Sequence, residues 1–346
     1  MKISINIVTW NSMKYLEKCL NSIFSQTFRD FSVLIIDNGS RDGTVEFVRE
    51  NYNRPPKQAT VLQNFQNLGF SCAHNQGIKL TESEYILVTN PDIILEKNFL
   101  ENLLNEIEAG SEIGSAGGKL LRVYFKDQDL KEPELSDIID SIGLKPLRSR
   151  QVVNVGEGEK DKGQYNKIRE VFGISGALAL YRREALEDVK LSVSTRSGIK
   201  EEYFDESFFS YKEDIDLAWR LCLRGWKSIY TPEAKAYHWR AIQGGKRGVF
   251  KVFREYQKRS RIVNFYSYKN HLLTILKNEF LGNFLKDFPF IFFHEFQKFF
   301  YILFFESYTL KALFAFFGAC SEVLIKRRKI MKRAKVTPKE MRKWFV

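Results

Sequence analysis

The chain has 346 residues, more than the roughly 250–300 at which a single hydrophobic core stops growing, so two domains are expected. Hydrophobic residues make up 44% of it and charged residues 28%, which excludes a disordered, collagen-like or linker-rich chain. The formal net charge of +12 is uneven: residues 1–245 carry 32 Lys and Arg against 35 Asp and Glu, and residues 246–346 carry 22 against 7. The basic C-terminal third predicts an anionic partner, either nucleic acid or a phospholipid surface.

The four cysteines are far apart and form no C-x-x-C pair, so neither a disulfide framework nor a structural zinc site is expected. A reducing cytosol is the simplest setting. The first ten residues alternate polar with apolar side chains and lack the continuous apolar region of a signal peptide. They predict a strand, and no export of the chain is expected.

Short apolar runs alternate with helical patterns over residues 1–120. The patterns predict strands and helices in the order strand 3–9, helix 12–25, strand 31–36, helix 40–52, strand 60–62 and strand 85–88. This β-α-β-α-β order predicts an α/β fold with a mostly parallel sheet.

Polar residues follow three of the predicted strands, at the sheet edge where such folds bind their ligands. They are Thr9-Trp10-Asn11, Asp37-Asn38-Gly39-Ser40 and Asn90-Pro91-Asp92. Each triplet or quartet is also an ordinary turn or helix-cap sequence. Three of them at one edge favour a binding site.

The polar residues 122–170 predict a long surface excursion that could act as a lid. After it, the patterns predict a strand at 174–181, with the small residues Ser175-Gly176-Ala177, a helix at 213–225, and two short strands leading to His238.

The C-terminal third has a different character, because residues 246–279 predict a basic helical stretch and residues 280–317 hold 14 of the 30 phenylalanines. The longest uncharged run there, Ala312 to Ser321, has ten residues, about half of the length that spans a bilayer. We therefore expect helices that lie in the headgroup interface and do not cross the membrane. A helical domain or homodimer interface with a solvated basic rim is the alternative.

Two phosphate-binding signatures are missing from the sequence. A G-x-G-x-x-G motif that begins at Gly156 has Asp161 in place of its third glycine, and no G-x-x-x-x-G-K-[ST] occurs. Dehydrogenase and P-loop functions therefore lose support.

Asp92 beside Asn90 is suited to hold a divalent cation that bridges a diphosphate, with His238 as a further ligand. A lone histidine at a strand end is otherwise most often a hydrogen-bonded packing residue.

Several motifs occur in a fixed order: Ile7 to Asn11, Leu34 to Thr44, Asn67 to Gly77, Asn90-Pro91-Asp92, Phe204 to Arg220, and His238. This series, which covers about residues 1–245, resembles the family 2 glycosyltransferases. Within that family, the Asn90-Pro91-Asp92 form of the fourth motif is similar to rhamnosyltransferases of surface polysaccharide assembly. The same holds for the sequences Gly163-Gln164-Tyr165 and Glu170 to Gly173.

The resemblance implies a GT-A fold, a nucleotide-sugar donor and an inverting transfer. It identifies Asp214 as the catalytic base, with Glu213 and Gly176 on the acceptor side. It identifies Asp92 and His238 as ligands of a divalent cation, Mg or Mn. It places six residues on the nucleotide-sugar side: Thr9, Asn11, Asp37, Asn67, Asn75 and Asn90.

One departure from the family pattern concerns the cation. Asn90 stands where the family's Asp-x-Asp motif has its first acid, so one negative charge is missing and a weaker or partly dispensable metal site is expected.

An inverting transfer needs one base, whereas a hydrolase needs a pair of carboxylates. For Asp216 we expect only a favourable interaction with the helix dipole.

These observations predict a GT-A domain over residues 1–245 and a basic, Phe-rich, helical membrane-interface region over 246–346. The expected function is transfer of a sugar from a dTDP- or UDP-sugar, with L-rhamnose from dTDP-rhamnose as the candidate, to a lipid-linked or growing polysaccharide. The expected location is the cytoplasmic face of the cell membrane. The alternatives are a basic nucleic-acid-binding protein, against which the acidic N-terminal part counts, and a non-catalytic scaffold on the same fold.

Overall fold

The computed structural model describes residues 1–125, 132–195, 198–239 and 260–346. Its strands are β1 (Ile3–Thr9), β2 (Phe31–Asp37), β3 (Asn53–Arg54), β4 (Lys57–Gln63), β5 (Tyr85–Thr89), β6 (Ile93–Leu95), β7 (Ile113–Phe125), β8 (Pro133–Ser141), β9 (Leu144–Pro146), β10 (Val152–Asn154), β11 (Arg169–Val171), β12 (Leu178–Arg182), β13 (Leu191–Thr195), β14 (Gly198–Glu202) and β15 (Lys227–His238). Its helices are α1 (Met13–Phe24), α2 (Thr44–Asn51), α3 (Gly69–Lys79), α4 (Phe99–Glu108), α5 (Arg183–Val189), α6 (Glu213–Leu223), α7 (Arg261–Asn278), α8 (Leu281–Phe305), α9 (Lys311–Lys332) and α10 (Pro338–Arg342).

A mixed sheet in the order β11-β15-β7-β12-β5-β1-β2-β4-β3 forms the centre of the molecule. β1 pairs in parallel with β2 and β5, and β2 pairs in parallel with β4. β12 lies antiparallel between β5 and β7. The predicted α/β fold is thus confirmed, and the insertion of β12 brings the turn that precedes it to the end of β5.

The N-terminal elements form because apolar side chains recur with the right period. In β1, Ile3, Ile5 and Ile7 point to one face of the sheet and are fully buried, and in α1 Leu16 and Leu20 lie on the buried face. Each such side chain contributes roughly 1.5–3 kcal/mol when it is withdrawn from water. The predicted strand 3–9 and helix 12–25 are therefore close to the observed elements.

The prediction of a surface excursion over residues 122–170 is correct for only part of the described residues, because 132–135 and 162–164 are exposed whereas 139–144 are buried. β7 pairs with β8 at the sheet, β9 pairs with β10, and β11 pairs with β15. Asp140 in β8 is completely buried, and Arg122 in β7 is nearly so. The polar composition indicated a surface, but these charges lie inside the molecule and contact one another.

The two short strands predicted before His238 are one strand. β15 pairs in parallel with β7 along its length, with a register shift between Thr231 and Lys235 where Pro232 interrupts the ladder. The strand continues past that bulge to His238. β15 therefore ends at the same sheet edge as β5.

The C-terminal helices pack against the catalytic half of the chain. Val323 of α9 and Leu273 of α7 bury Phe208, and Met341 and Phe345 pack near Trp219 of α6. The predicted boundary at residue 245 and the basic residues 246–259 lie outside the described residues. The described C-terminal helices pack partly against α6 and partly around a cluster of their own, with Tyr268, Tyr301, Ile302 and Ala312, and the division into two domains stays a prediction.

One described helix, Ser307–Lys332, is long and apolar enough to cross a bilayer by length and composition alone. The most apolar 18 residues of this helix include two charged side chains, and 17% of these residues are buried in the structure. The ten-residue uncharged run therefore did not exclude a span, since a span tolerates isolated charges. The interfacial location stays a prediction.

Candidate active site

Asp37, at the carboxyl end of β2, is buried and organises the loop between β2 and α2. Its Oδ2 accepts hydrogen bonds from the N–H groups of Gly39 and Ser40 at 3.0 and 2.9 Å, and its Oδ1 accepts one from Thr9 Oγ1 at 2.9 Å. Gly39 has φ +76°, a conformation that glycine adopts without strain. The structure thus brings Thr9 and Asp37 together at one sheet edge.

Asn11 and Asn67 shape the loops on either side of Asp37. Asn11 has φ +51°, and its Oδ1 accepts a hydrogen bond from the Arg41 N–H at 2.9 Å. Asn67 Oδ1 accepts one from the Gly69 N–H at 2.8 Å, where α3 begins. Both asparagines lie at the edge that the sequence indicated, and their contact with a nucleotide stays a prediction.

Asn75 on α3 is buried, and both ends of its amide bind the segment after β14. Its Oδ1 accepts hydrogen bonds from the N–H groups of Tyr203 and Phe204 at 3.1 and 2.9 Å. Its Nδ2 donates to the Phe204 carbonyl at 2.8 Å and to Glu206 Oε1 at 3.1 Å. These contacts use the whole hydrogen-bonding capacity of an amide. Asn75 therefore holds this segment against α3, and its contact with a nucleotide stays a prediction.

A buried chain of polar groups connects Asp92 with Arg122. Asp92 Oδ1 lies 3.4 Å from His238 Nε2, and His238 Nδ1 lies 2.9 Å from Asp140 Oδ2. Asp140 Oδ1 lies 3.7 Å from Arg122 Nε. Asp92 and His238 meet because β6, which follows Asp92, pairs with the end of β15. The sequence predicted these two residues but not Asp140, whose local sequence carries no signal.

The Asp92 and His238 side chains fit a divalent cation. Asp92 Oδ1 is buried and accepts no hydrogen bond from the part of the chain that the structure describes. Asp140 holds the other ring nitrogen of His238, the arrangement that orients metal-binding histidines. Burial disfavours the charged imidazole, but the carboxylates of Asp92 and Asp140 outweigh it and raise the pKa of His238 to about 9.

Asp214, the predicted base, is the second residue of α6 and lies against Gly176. Its Oδ2 accepts a hydrogen bond from the Gly176 N–H at 2.9 Å. A Cβ at position 176 would lie 3.1 Å from Asp214 Cβ, so glycine permits this close approach. The neighbouring Ala177 carbonyl accepts a hydrogen bond from the Asn90 N–H at 2.9 Å. Residues 176–177 thus join the predicted base to the edge with the predicted cation ligands.

Glu213 is buried beside Asp214, and its Oε2 has no hydrogen-bond partner among the described residues. Burial, and then the charge of Asp214, raise the pKa of Glu213 well above its ordinary value. The acceptor-side role of Glu213 stays a prediction.

The expectation that Asp216 only favours the helix dipole is wrong. Asp216 is completely buried, and its carboxylate lies 2.8 Å from Lys277 Nζ and 3.0 Å from Arg220 Nε. Lys277 also pairs with Asp205, which lies 2.6 Å from Lys326 Nζ. These ion pairs join α6 to α7 and α9, and the sequence gave no sign of them because the partners are far apart along the chain.

A second group of potential metal ligands, His271, His294 and Glu295, lies on α7 and α8, with ligand atoms within 4.8 Å of one another. His271 Nε2 and Glu295 Oε1 are 2.8 Å apart and form a hydrogen bond. That bond accounts for the burial of both groups without an ion. These three residues lie on different elements from Asp92 and His238, the predicted cation ligands.

A family model described as Glycosyl transferase family 2 matches residues 4–190, more than half of the chain. The chain belongs to this family. A second model, Glycosyl transferase family group 2, matches residues 156–318 and so extends into the C-terminal helices. The predicted family and the glycosyltransferase class of the enzyme are confirmed.

Curated relatives of this family 2 glycosyltransferase include a rhamnosyltransferase. The chain is 28% identical to N-acetylglucosaminyl-diphospho-decaprenol L-rhamnosyltransferase of Mycobacterium tuberculosis, over 69% of this chain and 76% of the relative. It is 23% identical to poly-beta-1,6-N-acetyl-D-glucosamine synthase of Staphylococcus epidermidis, over 67% of this chain and 48% of that relative. The predicted resemblance to rhamnosyltransferases is confirmed.

Solved structures confirm the GT-A fold of this glycosyltransferase. The crystal structure of GalNAc-T7 with UDP, GalNAc and Mn²⁺ superimposes with a TM-score of 0.61 at 15% identity, over 95% of this chain and 55% of that one. The mannosyltransferase PcManGT from Pyrobaculum calidifontis, in complex with GDP-Man and Mn²⁺, gives a TM-score of 0.50 at 16% identity, over 98% of this chain and 84% of that one. At such identities the likeness establishes the fold alone.

Proposed function

We propose that this glycosyltransferase moves L-rhamnose from dTDP-rhamnose to a lipid-linked acceptor of cell-surface polysaccharide assembly, with inversion at the anomeric carbon. The relative from Mycobacterium tuberculosis, whose name specifies an L-rhamnosyltransferase and a diphospho-decaprenol acceptor, supports the sugar and the acceptor class. The observation that carries the proposal is the placement of Asp214 against Gly176, beside Asn90 and the edge that leads to Asp92.

In this mechanism one carboxylate is enough. Asp214 takes the proton of the acceptor hydroxyl as its oxygen attacks the anomeric carbon, and the bond to the nucleoside diphosphate breaks on the opposite face of the sugar. Both oxygens of Asp214 are held by backbone, Oδ2 by the Gly176 N–H at 2.9 Å and Oδ1 by the Ile215 N–H at 2.8 Å, and each keeps a further lone pair for the acceptor hydroxyl. Glu213, whose Oε2 has no hydrogen-bond partner among the described residues, binds the acceptor beside Asp214.

Asp92 and His238 would hold a divalent cation, for which we propose Mg²⁺ or Mn²⁺. When bound, the cation neutralises the departing diphosphate. Asp140 and Arg122 keep the His238 ring in place, so the chain supplies a fixed nitrogen and a buried carboxylate oxygen. Asn90 contributes no charge, which supports a weaker site than an Asp-x-Asp pair would form.

The C-terminal helices support a location at the cytoplasmic membrane surface. Exposed phenylalanines cover α8 and α9, and Phe293, Phe304 and Phe314 are 62%, 69% and 79% exposed. We call the exposed phenylalanines of these two helices the Phe surface: Phe288, Phe290, Phe292, Phe293, Phe296, Phe300, Phe304, Phe305, Phe314 and Phe317. Soluble monomers rarely expose so many apolar rings together, and the excess of basic over acidic residues in 246–346 suits anionic lipids.

A donor panel tests the proposed function. The purified full chain is incubated with dTDP-rhamnose, UDP-N-acetylglucosamine or GDP-mannose and a short-chain polyprenyl diphosphate sugar acceptor, with Mg²⁺, Mn²⁺ or EDTA. Transfer from dTDP-rhamnose, with an inverted anomeric configuration by NMR, is expected. Transfer only from another donor would overturn the sugar assignment, and a retained configuration would overturn the single-base mechanism.

A further inference from the structure

The loop that precedes the catalytic helix has an unusual backbone. Phe209, Tyr211 and Lys212 have φ values of +63°, +73° and +73°, so three of its residues with side chains occupy the left-handed region. Such conformations are sparsely populated and persist only where surrounding groups hold them. The strained residues end immediately before Glu213 and Asp214, so what holds this loop also determines where the base lies.

Asn270 of α7 provides that hold. Its side chain is completely buried, and Nδ2 lies 2.9, 2.9 and 2.7 Å from the carbonyl oxygens of Phe208, Ser210 and Tyr211. An amide group has two N–H donors, so the three carbonyls share them. Its Oδ1 has no hydrogen-bond partner among the described residues, so only the donor end of Asn270 binds other groups.

The other side of the loop contacts α3, the helix that contains Asn75. The Phe209 carbonyl accepts a hydrogen bond from the Ser71 N–H at 3.2 Å, and Ser210 Oγ accepts one from the Phe70 N–H at 3.2 Å. A Cβ at Gly69 would lie 2.4 Å from the Phe209 carbonyl oxygen. The loop is therefore fixed between α3 and α7.

Contacts from α7 also reach the residues after the base. Lys277 Nζ lies 2.8 Å from Asp216 Oδ1, and Asn278 Nδ2 donates to the same oxygen at 2.7 Å. One helix of the C-terminal third thus contacts both the loop before Asp214 and the helical turn after it.

We propose that Asn270 is a positioning residue for the transfer: it holds the strained loop so that Asp214 meets the acceptor hydroxyl. The inference rests on the proposed role of Asp214. Asn270 acts through the backbone of residues 208–211 and does not touch the reactants. Loss of its donors lets Tyr211 and Lys212 relax toward ordinary backbone conformations, which moves the start of α6 and the base with it.

The test compares Asn270→Ala with Asn264→Ala. Asn264 is a buried asparagine on the same helix that donates to Glu306, away from the loop. We expect Asn270→Ala to lower kcat on the order of 10²-fold, the effect of misplacing a catalytic group, while the KM for the donor changes less than about threefold. Asn264→Ala, with a comparable loss in Tm, should keep kcat within about threefold of wild type.

A rescue variant separates positioning from general stability. Lys212→Gly added to Asn270→Ala removes the backbone strain that the amide otherwise holds, because glycine adopts positive φ freely. We expect the double variant to recover at least tenfold of the lost kcat. If Asn270→Ala does not fold, Asn270→Ser, which keeps one donor, is measured in its place.

Three outcomes would overturn the inference: an unchanged kcat in Asn270→Ala, a loss of kcat equal to that in Asn264→Ala, or no recovery with Lys212→Gly. The Asp214→Asn variant distinguishes this failure from failure of the proposed function. If Asp214→Asn abolishes transfer while Asn270→Ala does not, only the positioning role is wrong. If Asp214→Asn keeps its turnover, the assigned base itself is wrong.

Discussion

At the scale of single residues, Asp214 is the group on which the proposed chemistry depends most directly. We expect Asp214→Asn to lower kcat by about 10²–10⁴-fold, the usual cost of removing a general base. Nucleotide affinity should stay near wild type, because the proposed role of Asp214 concerns the acceptor hydroxyl and its side chain contacts the backbone of Gly176 and Ile215. Steady-state kinetics and nucleotide titration calorimetry measure the two effects. The matched control is Glu213→Gln, which changes the neighbouring buried carboxyl group and should cost much less than the loss of the proposed base.

The cation gives a second prediction at this scale. Asp92→Ala should weaken donor binding when Mg²⁺ or Mn²⁺ is present and have little effect in EDTA, because the carboxylate acts through the cation. His238→Ala should follow the same pattern more mildly. Donor titrations by calorimetry under both conditions check this, and equal losses with metal and with EDTA would show that neither side chain is a metal ligand.

At the scale of elements, α3 contains a histidine that makes the stability of the fold depend on pH. His74 is completely buried between Phe70 and Phe204, and its ring nitrogens have no hydrogen-bond partner among the described residues. Burial lowers the pKa of His74 from 6.5 to about 3. Between these values the unfolded chain binds a proton that the folded chain does not, so the free energy of unfolding decreases as the pH falls.

The expected slope from this one group is about 1.4 kcal/mol per pH unit between pH 6 and 4. His74→Leu removes the group, so its free energy of unfolding should fall less over that range than that of wild type. Urea unfolding at pH 7, 6, 5 and 4 measures the difference. Parallel curves for the two proteins would mean that His74 is accessible to protons in the folded state.

At the scale of the whole molecule, the Phe surface predicts peripheral binding to anionic membranes. A truncation before Gly282 would also remove Lys326, Met341 and Phe345, which pair or pack with the catalytic half, and would damage the fold. Substitutions on the surface avoid this. The triple variant Phe292→Ser, Phe293→Ser and Phe304→Ser changes only exposed rings, and Ile199→Ser, an equally exposed apolar residue on β14, is the matched control.

We expect the wild-type chain and Ile199→Ser to co-sediment with phosphatidylglycerol vesicles and to be partly released by high salt. Basic residues near the surface contribute about 1 kcal/mol each and are screened by salt, whereas inserted rings are not. The triple variant should bind on the order of 10²-fold more weakly. Wild type that ignores vesicles but forms a dimer that the triple variant lacks would identify a subunit interface, and resistance to both salt and carbonate would indicate a membrane span.

The sequence by itself determined the strands and loops of the N-terminal half and the family. The spacing of apolar residues predicts β1, α1 and β5. The polar residues at the strand ends, from Thr9 to Asp92, lie in short contiguous motifs that are visible in the sequence. The pairing of Asp214 with Gly176 and of Asp92 with His238 follows from the same motifs, once the strand order places their ends at one edge of the sheet.

Only the tertiary structure decided the rest. Asp140 orients His238, Asn75 binds the backbone after β14, and Asn270 holds the loop before the proposed base. Each contact joins residues 59 or more positions apart, as in the 98 positions between His238 and Asp140. A buried polar group is stable only when a partner satisfies it, and local sequence records the group but not the partner. For that reason residues 139–144 were misassigned to the surface, and the support of α6 by α7 became visible only in three dimensions.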